Sequence, residues 1–435
     1  MATKPKGTYD ILPVDAMLWQ KLEDKIRKVC NIYNYGEIRT PIFEHSETFH
    51  RNQNDTSDMV TKETYDFKDR SDRGLTLRPE GTAGVARAVI ENKMYVDSPL
   101  TKVFYMGPMF RYERQQKGRY RQFHQFGVEA IGSDSPYIDA EVIALGVAII
   151  KGLGLKDVKV KINSIGDEES RTKYREVLVD YFKKYEDKLC EDCKARLKNN
   201  PLRILDCKVD KDKEFFKNVP HISNFLNETS KNHFANVLAA LDEMAISYEI
   251  DENLVRGLDY YSHTVFELEA NVESLGAQNV IGGGGRYNGL VKQLGGPDLP
   301  GVGMAFGLDR LIITLQEEGK FANLKPFIHC YFITLGDRAK KEVAKIINVC
   351  RMGGLSCDTD YLNKGIKAQF KTADKMNAMF TCILGDDEID NAKINIKNNL
   401  TDEQETIGIY EVYPYVINHL KAQSPCASCK EEKKE

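Results

Sequence analysis

Two apolar, strand-like runs flank a cationic loop between residues 107 and 129 of this 435-residue chain. This pattern predicts an antiparallel hairpin whose connection is longer than a tight turn. The loop holds no acidic residue after Glu113, and its cations are Arg114, Lys117, Arg119 and Arg121. A long loop inside a compact domain is often functional, and clustered cations suit a polyanion. The hairpin therefore predicts a sheet whose connecting loop binds phosphate groups.

The second strand of this hairpin carries a small polar face. Side chains two residues apart along a strand share a face, so Gln125, Gly127 and Glu129 lie on one side. The glycine leaves a hollow between a group that can donate to a carboxylate and a group that can accept from an N–H. These residues predict a site for a small polar ligand, and a solvated face around an ordinary glycine stays open as the alternative.

The composition narrows the classes of protein to which the chain can belong. A length of 435 residues suggests about two or three domains, and an apolar fraction of 42% is enough for real cores. With a net charge of −4, nucleic-acid binding depends on local basic patches rather than on overall charge. No apolar run approaches the roughly 18 residues of a membrane span, and no apolar stretch follows the polar N-terminus. We therefore expect a cytoplasmic protein without membrane contact.

The pattern of apolar residues divides the chain into two domains and a tail. Residues 1–325 combine helices with antiparallel strand signals, which predicts an α+β domain. Within that range, residues from about 167 to 241 have the pattern of a charged helical insertion. Residues 326–423 alternate strands with helices, which predicts a separate α/β domain with a mixed sheet. Residues 424–435 form a charged tail that we expect to be frayed.

The ten cysteines include two C-x-x-C pairs, Cys190/Cys193 and Cys426/Cys429, with Cys207 downstream of the first pair. Structural zinc takes four ligands, and neither pair has a second pair at finger-like spacing. Most other cysteines stand singly in apolar or helical context, as is usual in reduced cytosolic proteins. We therefore expect ordinary reduced thiols and no bound metal, with zinc at one of the pairs as the open alternative.

A carboxylate and a hydroxyl, Glu80 and Thr82, stand at the predicted strand-to-helix junction Leu77–Ala83. They could bind a ligand, or Thr82 could cap the helix while Glu80 complements its dipole. Arg111, at the end of the first hairpin strand, has a planar guanidinium that matches phosphate oxygens. A surface salt bridge with Glu113 is its alternative. Each of these residues by itself has an ordinary structural explanation.

Three segments further along combine glycines with charged or phenolic groups. Val255–Tyr261 places a cation, an acid and two phenols in strand-like chain, a combination that a core does not explain. The glycines of 282–285 let the backbone approach a ligand closely, although no Lys-Ser/Thr follows as in a P-loop. The segment 301–310 ends with Arg310 in the first turn of a predicted helix. Because cations are disfavoured there, we predict that Arg310 has a partner outside the helix.

Taken together, these segments resemble class II aminoacyl-tRNA synthetases and, among them, the histidyl-tRNA synthetase family, over nearly the whole chain. The segments that carry the resemblance are the opening Lys6–Pro13, motif 1 at Tyr35–Glu44, motif 2 at Phe110–Glu113 with its basic loop, motif 3 at Gly303–Arg310, and two histidine-specific signatures at Leu254–Tyr261 and Gly283–Tyr287. The resemblance implies an antiparallel catalytic sheet flanked by helices, a C-terminal α/β anticodon-binding domain, and a homodimer whose interface uses motif 1.

The resemblance also implies a two-step reaction. Histidine and ATP first give histidyl-adenylate and pyrophosphate, with Mg²⁺ held largely by ATP and water, and the histidyl group then moves to the 3′ end of tRNA(His). The catalytic residues implied by position are Arg111, at the α-phosphate, and Arg256, which neutralises charge there while pyrophosphate leaves. ATP would further contact Glu113, Arg119 at the outer phosphates, and Arg310 at the adenine and γ-phosphate.

Contacts to histidine and tRNA follow from the same resemblance. The residues implied to hold histidine are Glu80 and Thr82 at its amino group, Gln125 at its carboxylate, and Glu129 and Tyr261 at its imidazole, with Tyr260 and Tyr287 nearby. Gln115 or Gln116 would approach the first base pair of the acceptor stem, where histidine tRNA carries an additional 5′ G. The helical insertion would cover the acceptor stem, and the last domain would contact the anticodon.

Two other functions use the same fold without the reaction. A catalytically inactive relative could serve as a regulatory subunit in histidine biosynthesis, but such relatives lack the C-terminal domain and their site residues have decayed. An RNA-binding protein could use the basic loop and the last domain without ATP turnover. This second alternative leaves Arg256, Glu129 and Tyr261 unexplained.

Overall fold

A computed structural model describes residues 2–51, 60, 62–114, 118–156, 158–256, 260–270, 280–322 and 324–423 of the chain. The chain divides into two compact units, Met1–Ala322 and Asn323–Glu435. The predicted charged tail 424–435, with Cys426 and Cys429, lies outside the described residues. Within the described part of the chain, no helix is long and apolar enough to cross a membrane.

The first unit is built on an eight-stranded sheet, beside which lies a small three-stranded one. Its helices and strands in chain order are α1 (Pro13–Ile32), β1 (Gly36–Glu37), β2 (Phe43–His45), β3 (Tyr65–Lys68), β4 (Gly74–Leu77), α2 (Thr82–Glu91), α3 (Met94–Asp97), β5 (Thr101–Phe110), β6 (Gln122–Ile131), α4 (Pro136–Gly152), β7 (Val158–Ser164), α5 (Glu168–Lys183), α6 (Glu191–Asn199), α7 (Glu228–Glu243), β8 (Tyr248–Ile250), β9 (Ser262–Ala270), β10 (Val280–Arg286), α8 (Leu290–Gln293), β11 (Gly301–Gly307) and α9 (Leu308–Glu317).

The large sheet has the strand order β1-β5-β6-β11-β10-β9-β7-β8. Only its two edge pairs, β1 with β5 and β7 with β8, are parallel, while every interior pair is antiparallel. Helices flank the sheet, so the predicted α+β class with an antiparallel catalytic sheet is confirmed. The predicted hairpin forms its β5–β6 pair, and the cationic loop connects these two strands.

Helix α4 covers the face of the sheet opposite to Glu129. It begins at Ser135, whose hydroxyl accepts from the amide of Tyr137 at 3.4 Å, and a proline occupies its first turn. Gly146 in this helix lies against the sheet, because a Cβ there would stand 2.5 Å from Met304 Sδ. Since Met304 and Gly303 point to opposite faces of β11, the Glu129 face is left open for a site.

The predicted helical insertion consists of α5, α6 and α7 with short 3₁₀ turns between them. Asp167 caps α5 by accepting from Ser170 N at 2.9 Å, and Asn227 caps α7 by accepting from Ser230 N at 2.9 Å. Asn227 Nδ2 also donates to Asp167 Oδ2 at 2.7 Å, so the two helices begin side by side. Buried apolar side chains fill the space beneath them, including Tyr174, Leu178, Phe182 and Phe215.

The second unit has a five-stranded mixed sheet of order β13-β12-β14-β15-β16. Its elements are β12 (Ile328–Thr334), α10 (Asp337–Met352), β13 (Cys357–Thr359), α11 (Ile366–Lys375), β14 (Ala378–Leu384), α12 (Asp386–Asp390), β15 (Lys393–Asn398), β16 (Gln404–Gly408) and α13 (Val412–Gln423). Strands β13, β12 and β14 are parallel, whereas β15 and β16 run antiparallel to their neighbours. The sheet is mixed, as the alternation of strands and helices predicts.

Candidate active site

The floor of the candidate site is the open face of β6, where Gln125, Gly127 and Glu129 lie in a row. Across the sheet, Gln125 is paired with Gly107 of β5 and with Gly307 of β11. Glu129 is paired with Gly303, where a Cβ would overlap the Glu129 carboxylate. Glycines therefore stand beside both polar groups, but the hollow that the sequence predicts at Gly127 is filled by the ring of Tyr105.

Glu129 is a buried carboxyl group, 1% exposed, with two hydroxyl donors. Thr82 Oγ1 donates to its Oε1 at 2.7 Å, and the Tyr287 hydroxyl donates to its Oε2 at 2.5 Å. Burial raises the pKa of Glu129 to about 8, although the hydrogen bonds from Tyr287 and Thr82 act in the opposite direction. An arriving N–H donor or cation would favour the ionised form, so the pocket is suited to a ligand with such a group.

Phenol rings form the walls above this carboxyl. The ring centroid of Tyr260 lies 4.9 Å from that of Tyr261 and 5.8 Å from that of Tyr287. Burial raises the pKa of all these phenols above the ordinary value, so they act as neutral hydroxyl donors. The structure thus brings Tyr260, Tyr261 and Tyr287 together with Glu129.

Tyr105 is a fourth phenol of this pocket, and sequence reasoning missed it. Its ring fits between Gly81 and Gly127, since a Cβ at either glycine would overlap it. Its hydroxyl is buried and has no hydrogen-bond partner among the described residues. The register of the β5–β6 pair sets the position of this phenol, because Tyr105 lies directly opposite Gly127 in the middle of the floor. An unpartnered buried hydroxyl at this position is available to a ligand.

Glu80 and Thr82 lie at the edge of the floor and have different local roles. The Glu80 carboxylate accepts from the amides of Thr82 and Ala83 at 2.6 and 2.9 Å, so Glu80 caps helix α2. The Thr82 hydroxyl does not cap the helix, because it donates to Glu129 instead. The ordinary structural explanation therefore accounts for Glu80 in part, whereas Thr82 belongs to the pocket.

A group of arginines lies at the end of the floor nearest the hairpin loop. Arg111 Nε donates to the Pro79 carbonyl at 2.8 Å, and its guanidinium lies 5.2 Å from the Phe123 ring centroid. Glu113 stands between two of the cations, with Arg111 Nη1 at 3.9 Å and Arg119 Nη1 at 3.6 Å. Both distances exceed a hydrogen bond. The predicted alternative of a salt bridge between Arg111 and Glu113 is therefore only a loose ion pair.

Arg310 joins this group from the first turn of α9. Its Nη1 donates to the Val280 carbonyl at 3.1 Å, which confirms the predicted partner outside its own helix. Its side chain also packs beside Gly118, where a Cβ would stand 3.2 Å from Arg310 Cγ. Burial and then the charge of Arg119 lower the pKa of Arg310. Two neighbouring guanidinium groups that repel each other form a site for an anion.

Arg256 lies on the opposite side of the floor. Its Nη1 donates to Glu267 Oε1 at 2.5 Å and would stand 2.9 Å from a Cβ at Gly283, so the glycine makes room for the guanidinium. Its Nε is buried without a partner among the described residues. Burial lowers the pKa of Arg256, but Tyr261 and Glu267 outweigh that effect and the net shift is upward. Arg256 therefore stays protonated, and its Nε–H is available to donate to a ligand.

The strand predicted at Val255–Tyr261 is wrong for the residues that the structure describes, because Val255, Arg256, Tyr260 and Tyr261 lie in irregular chain and β9 begins only at Ser262. Gln115 and Gln116 lie outside the described residues, as do residues 257–259, so the predicted tRNA contact of the glutamines stays a prediction.

The sequence matches known families over both units. The match to the family described as histidyl-tRNA synthetase covers residues 7–311, and the match to the anticodon-binding domain covers residues 329–419. The chain is 52% identical over 417 residues to a histidine–tRNA ligase of Bacillus cytotoxicus, covering 96% of this chain and 99% of the relative. It is also 52% identical over 406 residues to the histidine–tRNA ligase of Acholeplasma laidlawii, covering 93% of this chain and 96% of that relative.

A solved structure shows the same similarity. The apo histidyl-tRNA synthetase of S. aureus superposes with a TM-score of 0.82 at 43% identity, covering 96% of this chain and 100% of that one.

Proposed function

The chain belongs to the histidyl-tRNA synthetase family, and from this premise we propose that the pocket over Glu129 activates histidine with ATP. The protein acts as a histidine–tRNA ligase: histidine and ATP give histidyl-adenylate and pyrophosphate, and the histidyl group is then transferred to the 3′ end of tRNA(His). One observation carries the assignment of the site. A buried carboxyl with phenol walls shares a single glycine-lined sheet face with arginines at its two sides.

Histidine is held by groups that match its three polar ends. Its imidazole N–H donates to Glu129, and the Tyr261 hydroxyl donates to the other ring nitrogen. Gln125 binds the carboxylate through the N–H donors of its amide Nε2, and its half-buried side chain lies on the floor of the site. Glu80 and Thr82 receive the amino group, because each Glu80 oxygen that caps α2 retains a lone pair.

The adenylation step joins two anions, so charge neutralisation is its main requirement. A carboxylate oxygen of histidine forms a bond to the α-phosphorus while the bond from that phosphorus to the pyrophosphate oxygen breaks. Arg111 and Arg256 bind the α-phosphate from opposite sides of the floor. The contacts of the two arginines support these roles. Arg111 is only loosely paired with Glu113, and Arg256 Nε has no partner among the described residues.

The outer phosphates and the metal ion belong to the loop end of the site. Arg119 binds the outer phosphates, and Arg310 lies against the adenine and the γ-phosphate. Glu113 contacts ATP beside Arg119, whose Nη1 is 3.6 Å from Glu113 Oε2. Mg²⁺ supplies further positive charge to the phosphates when bound. Among the described residues, the only cluster of three or more potential metal ligands lies in the helical insertion. An ion held by phosphates and water therefore fits this site.

Binding of tRNA(His) uses both units. The second unit contacts the anticodon, the helical insertion covers the acceptor stem, and Gln115 or Gln116 approaches the first base pair. Support comes from the match of residues 329–419 to an anticodon-binding domain. Phosphate contacts make tRNA affinity fall as salt concentration rises.

The assembly is a homodimer in the cytoplasm. Ile42 and Phe43 are 45% and 52% exposed in the motif 1 segment, and β1 in the same segment is an edge strand, which suits a second copy of the chain. The described cysteines are all free thiols, which suits a reducing compartment. Sedimentation or light scattering would give the mass in solution, and a monomer at micromolar concentration would overturn the dimer.

Histidine-dependent exchange of labelled pyrophosphate into ATP tests the function directly. We expect exchange with histidine, ATP and Mg²⁺ and none with other amino acids. The two alternatives, an inactive regulatory relative and a plain RNA-binding protein, both predict no exchange. Absence of exchange in folded protein would therefore reject the proposed function, and the 52% identity to ligases over nearly the whole chain argues against that outcome.

A further inference from the structure

Three thiols and one carboxylate meet inside the helical insertion, away from the residues used for histidine activation. The ligand atoms of Cys190, Cys193, Cys207 and Asp210 all lie within 4.8 Å of one another. The Sγ atoms of Cys190 and Cys207 are 3.7 Å apart. Cys193, Cys207 and Asp210 are buried, and Cys190 is partly exposed. The sequence indicates the three cysteines and leaves zinc open as an alternative, but it does not reveal Asp210, because a single aspartate has no recognisable ligand spacing.

The spacing of this cluster fits one tetrahedral ion. Two sulfurs bound to a tetrahedral zinc ion at about 2.3 Å each lie about 3.8 Å apart. The Cys190–Cys207 distance already has this value, and the 4.8 Å limit for the other pairs requires only a small contraction. Thiolate sulfur selects zinc over magnesium or calcium, and a carboxylate is an accepted fourth zinc ligand.

Backbone and side-chain groups around the cluster hold these ligands in place. Cys190 is the N-cap residue of α6, and its amide donates to Asp210 Oδ2 at 3.0 Å. Lys213 Nζ lies 2.7 Å from Asp210 Oδ1 and offsets part of the negative charge of the cluster. These contacts orient the ligands as outer partners of metal sites do.

We propose that Cys190, Cys193, Cys207 and Asp210 hold a structural Zn²⁺ ion in the insertion. The ion fixes the start of α6 to the turn that contains Cys207, across a segment made of short 3₁₀ turns such as Pro201–Ile204. Pro201 and Ile204 of this turn are buried, and the metal ion adds a cross-link to the stability that this apolar packing supplies.

The position of the ion also connects the insertion with the candidate active site. The chain between Cys193 and Cys207 includes Arg203, whose Nη1 donates to the Arg256 carbonyl at 3.3 Å. An ion that fixes this stretch therefore also fixes the backbone of Arg256. Removal of zinc should loosen this support and so weaken the contact of Arg256 with ATP, while the residues that hold histidine stay in place.

Metal content measured by mass spectrometry tests the proposal without reference to activity. Full-length protein is purified without chelator and dialysed against metal-free buffer. We expect about one zinc ion per chain in the wild type and less than a tenth of that amount in Cys193→Ser. Cys30→Ser is the matched control, because it alters a buried thiol in α1 and should leave the zinc content unchanged.

A second variant keeps the proposal testable if Cys193→Ser fails to fold. Asp210→Asn has nearly the same shape but loses the anionic oxygen, and we expect at least about tenfold weaker zinc binding in competition with a chelator. Cobalt added to metal-free wild type should give the visible spectrum of a tetrahedral thiolate site. Wild-type protein with no more zinc than Cys193→Ser, or an octahedral cobalt spectrum, would overturn the site. A Cys190–Cys207 disulfide in freshly purified protein would assign the cluster to redox chemistry instead.

Discussion

The buried carboxyl of Glu129 predicts an unusual dependence of stability on pH in the absence of ligands. Its pKa rises from 4.5 to about 8, and a shift of this size corresponds to at most about 5 kcal/mol of free energy. Because the folded state binds the proton more tightly than the unfolded state, the stabilisation is complete below the unfolded pKa. It is lost progressively as the pH rises from 4.5 through about 8.

The substitution Glu129→Gln isolates this contribution, because the amide has a similar shape and cannot ionise. The free energy of unfolding, measured with urea between about pH 5 and pH 9, should fall more steeply with pH in the wild type than in the variant. We expect the variant to be more stable than the wild type by up to several kcal/mol at the alkaline end and of similar stability at the acidic end.

A surface substitution and an activity measurement complete this test. Glu91→Gln alters an exposed carboxylate that pairs with Arg87 at 2.8 Å, and its unfolding free energy should follow the wild-type pH dependence. Glu129→Gln should also weaken histidine binding about tenfold, because a charge-assisted hydrogen bond becomes a neutral one. Parallel stability curves for wild type and Glu129→Gln would show that the buried carboxyl is not the cause, and the reasoning would fail.

Other contacts of the site give predictions of their own. Gly303→Ala places a methyl group where the Glu129 carboxylate lies, so pyrophosphate exchange should disappear with a stability loss of about 1–3 kcal/mol in urea; normal exchange would contradict the packing argument. Arg256→Ala should slow adenylate formation about 100-fold or more in single-turnover assays while changing the histidine Kd little, and equal losses in both would refute a transition-state role. Arg286→Ala removes the guanidinium that pairs with buried Asp139 and leaves His233, whose Nε2 is 3.6 Å from Asp139 Oδ2, so it should cost up to about 3–5 kcal/mol in urea unfolding; a loss below about 1 kcal/mol would mean that His233 compensates for the lost arginine.

Local periodicity accounts for the parts of the site that sequence could predict. The strand Gln122–Ile131 forms the second strand of the predicted hairpin, and its two-residue period places Gln125 and Glu129 on one face. Which residues of the neighbouring strands lie opposite it depends on the strand register. The sequence of the connecting loop does not predict that register. For this reason Tyr105, opposite Gly127, could not be recognised as part of the pocket.

The other features that the sequence did not predict depend on contacts between residues far apart in the chain. Asp210 comes next to Cys190 only after the turn at Cys207 forms, and a single aspartate carries no signal in a chain rich in acidic residues. The residue composition of Val255–Tyr261 is strand-like, yet β9 begins only at Ser262, and the Arg256 guanidinium lies against Gly283. Propensity reports local preference, and tertiary contacts of this kind override it.

The glycine-rich segment Gly283–Tyr287 shows why a signature can serve function and stability at once. Neighbouring strand residues point to opposite faces, so Tyr287 reaches Glu129 on the open face while Arg286 points away from it. Arg286 is fully buried and binds Asp139 of α4 with its guanidinium, Nη2 to Oδ2 at 2.5 Å. This ion pair connects α4 to β10 on the face of the sheet opposite the site, and it thereby fixes the position of Tyr287 relative to Glu129. Loss of Arg286 should therefore lower activity through the position of the phenol, even though the arginine cannot touch a ligand on the other side of the sheet.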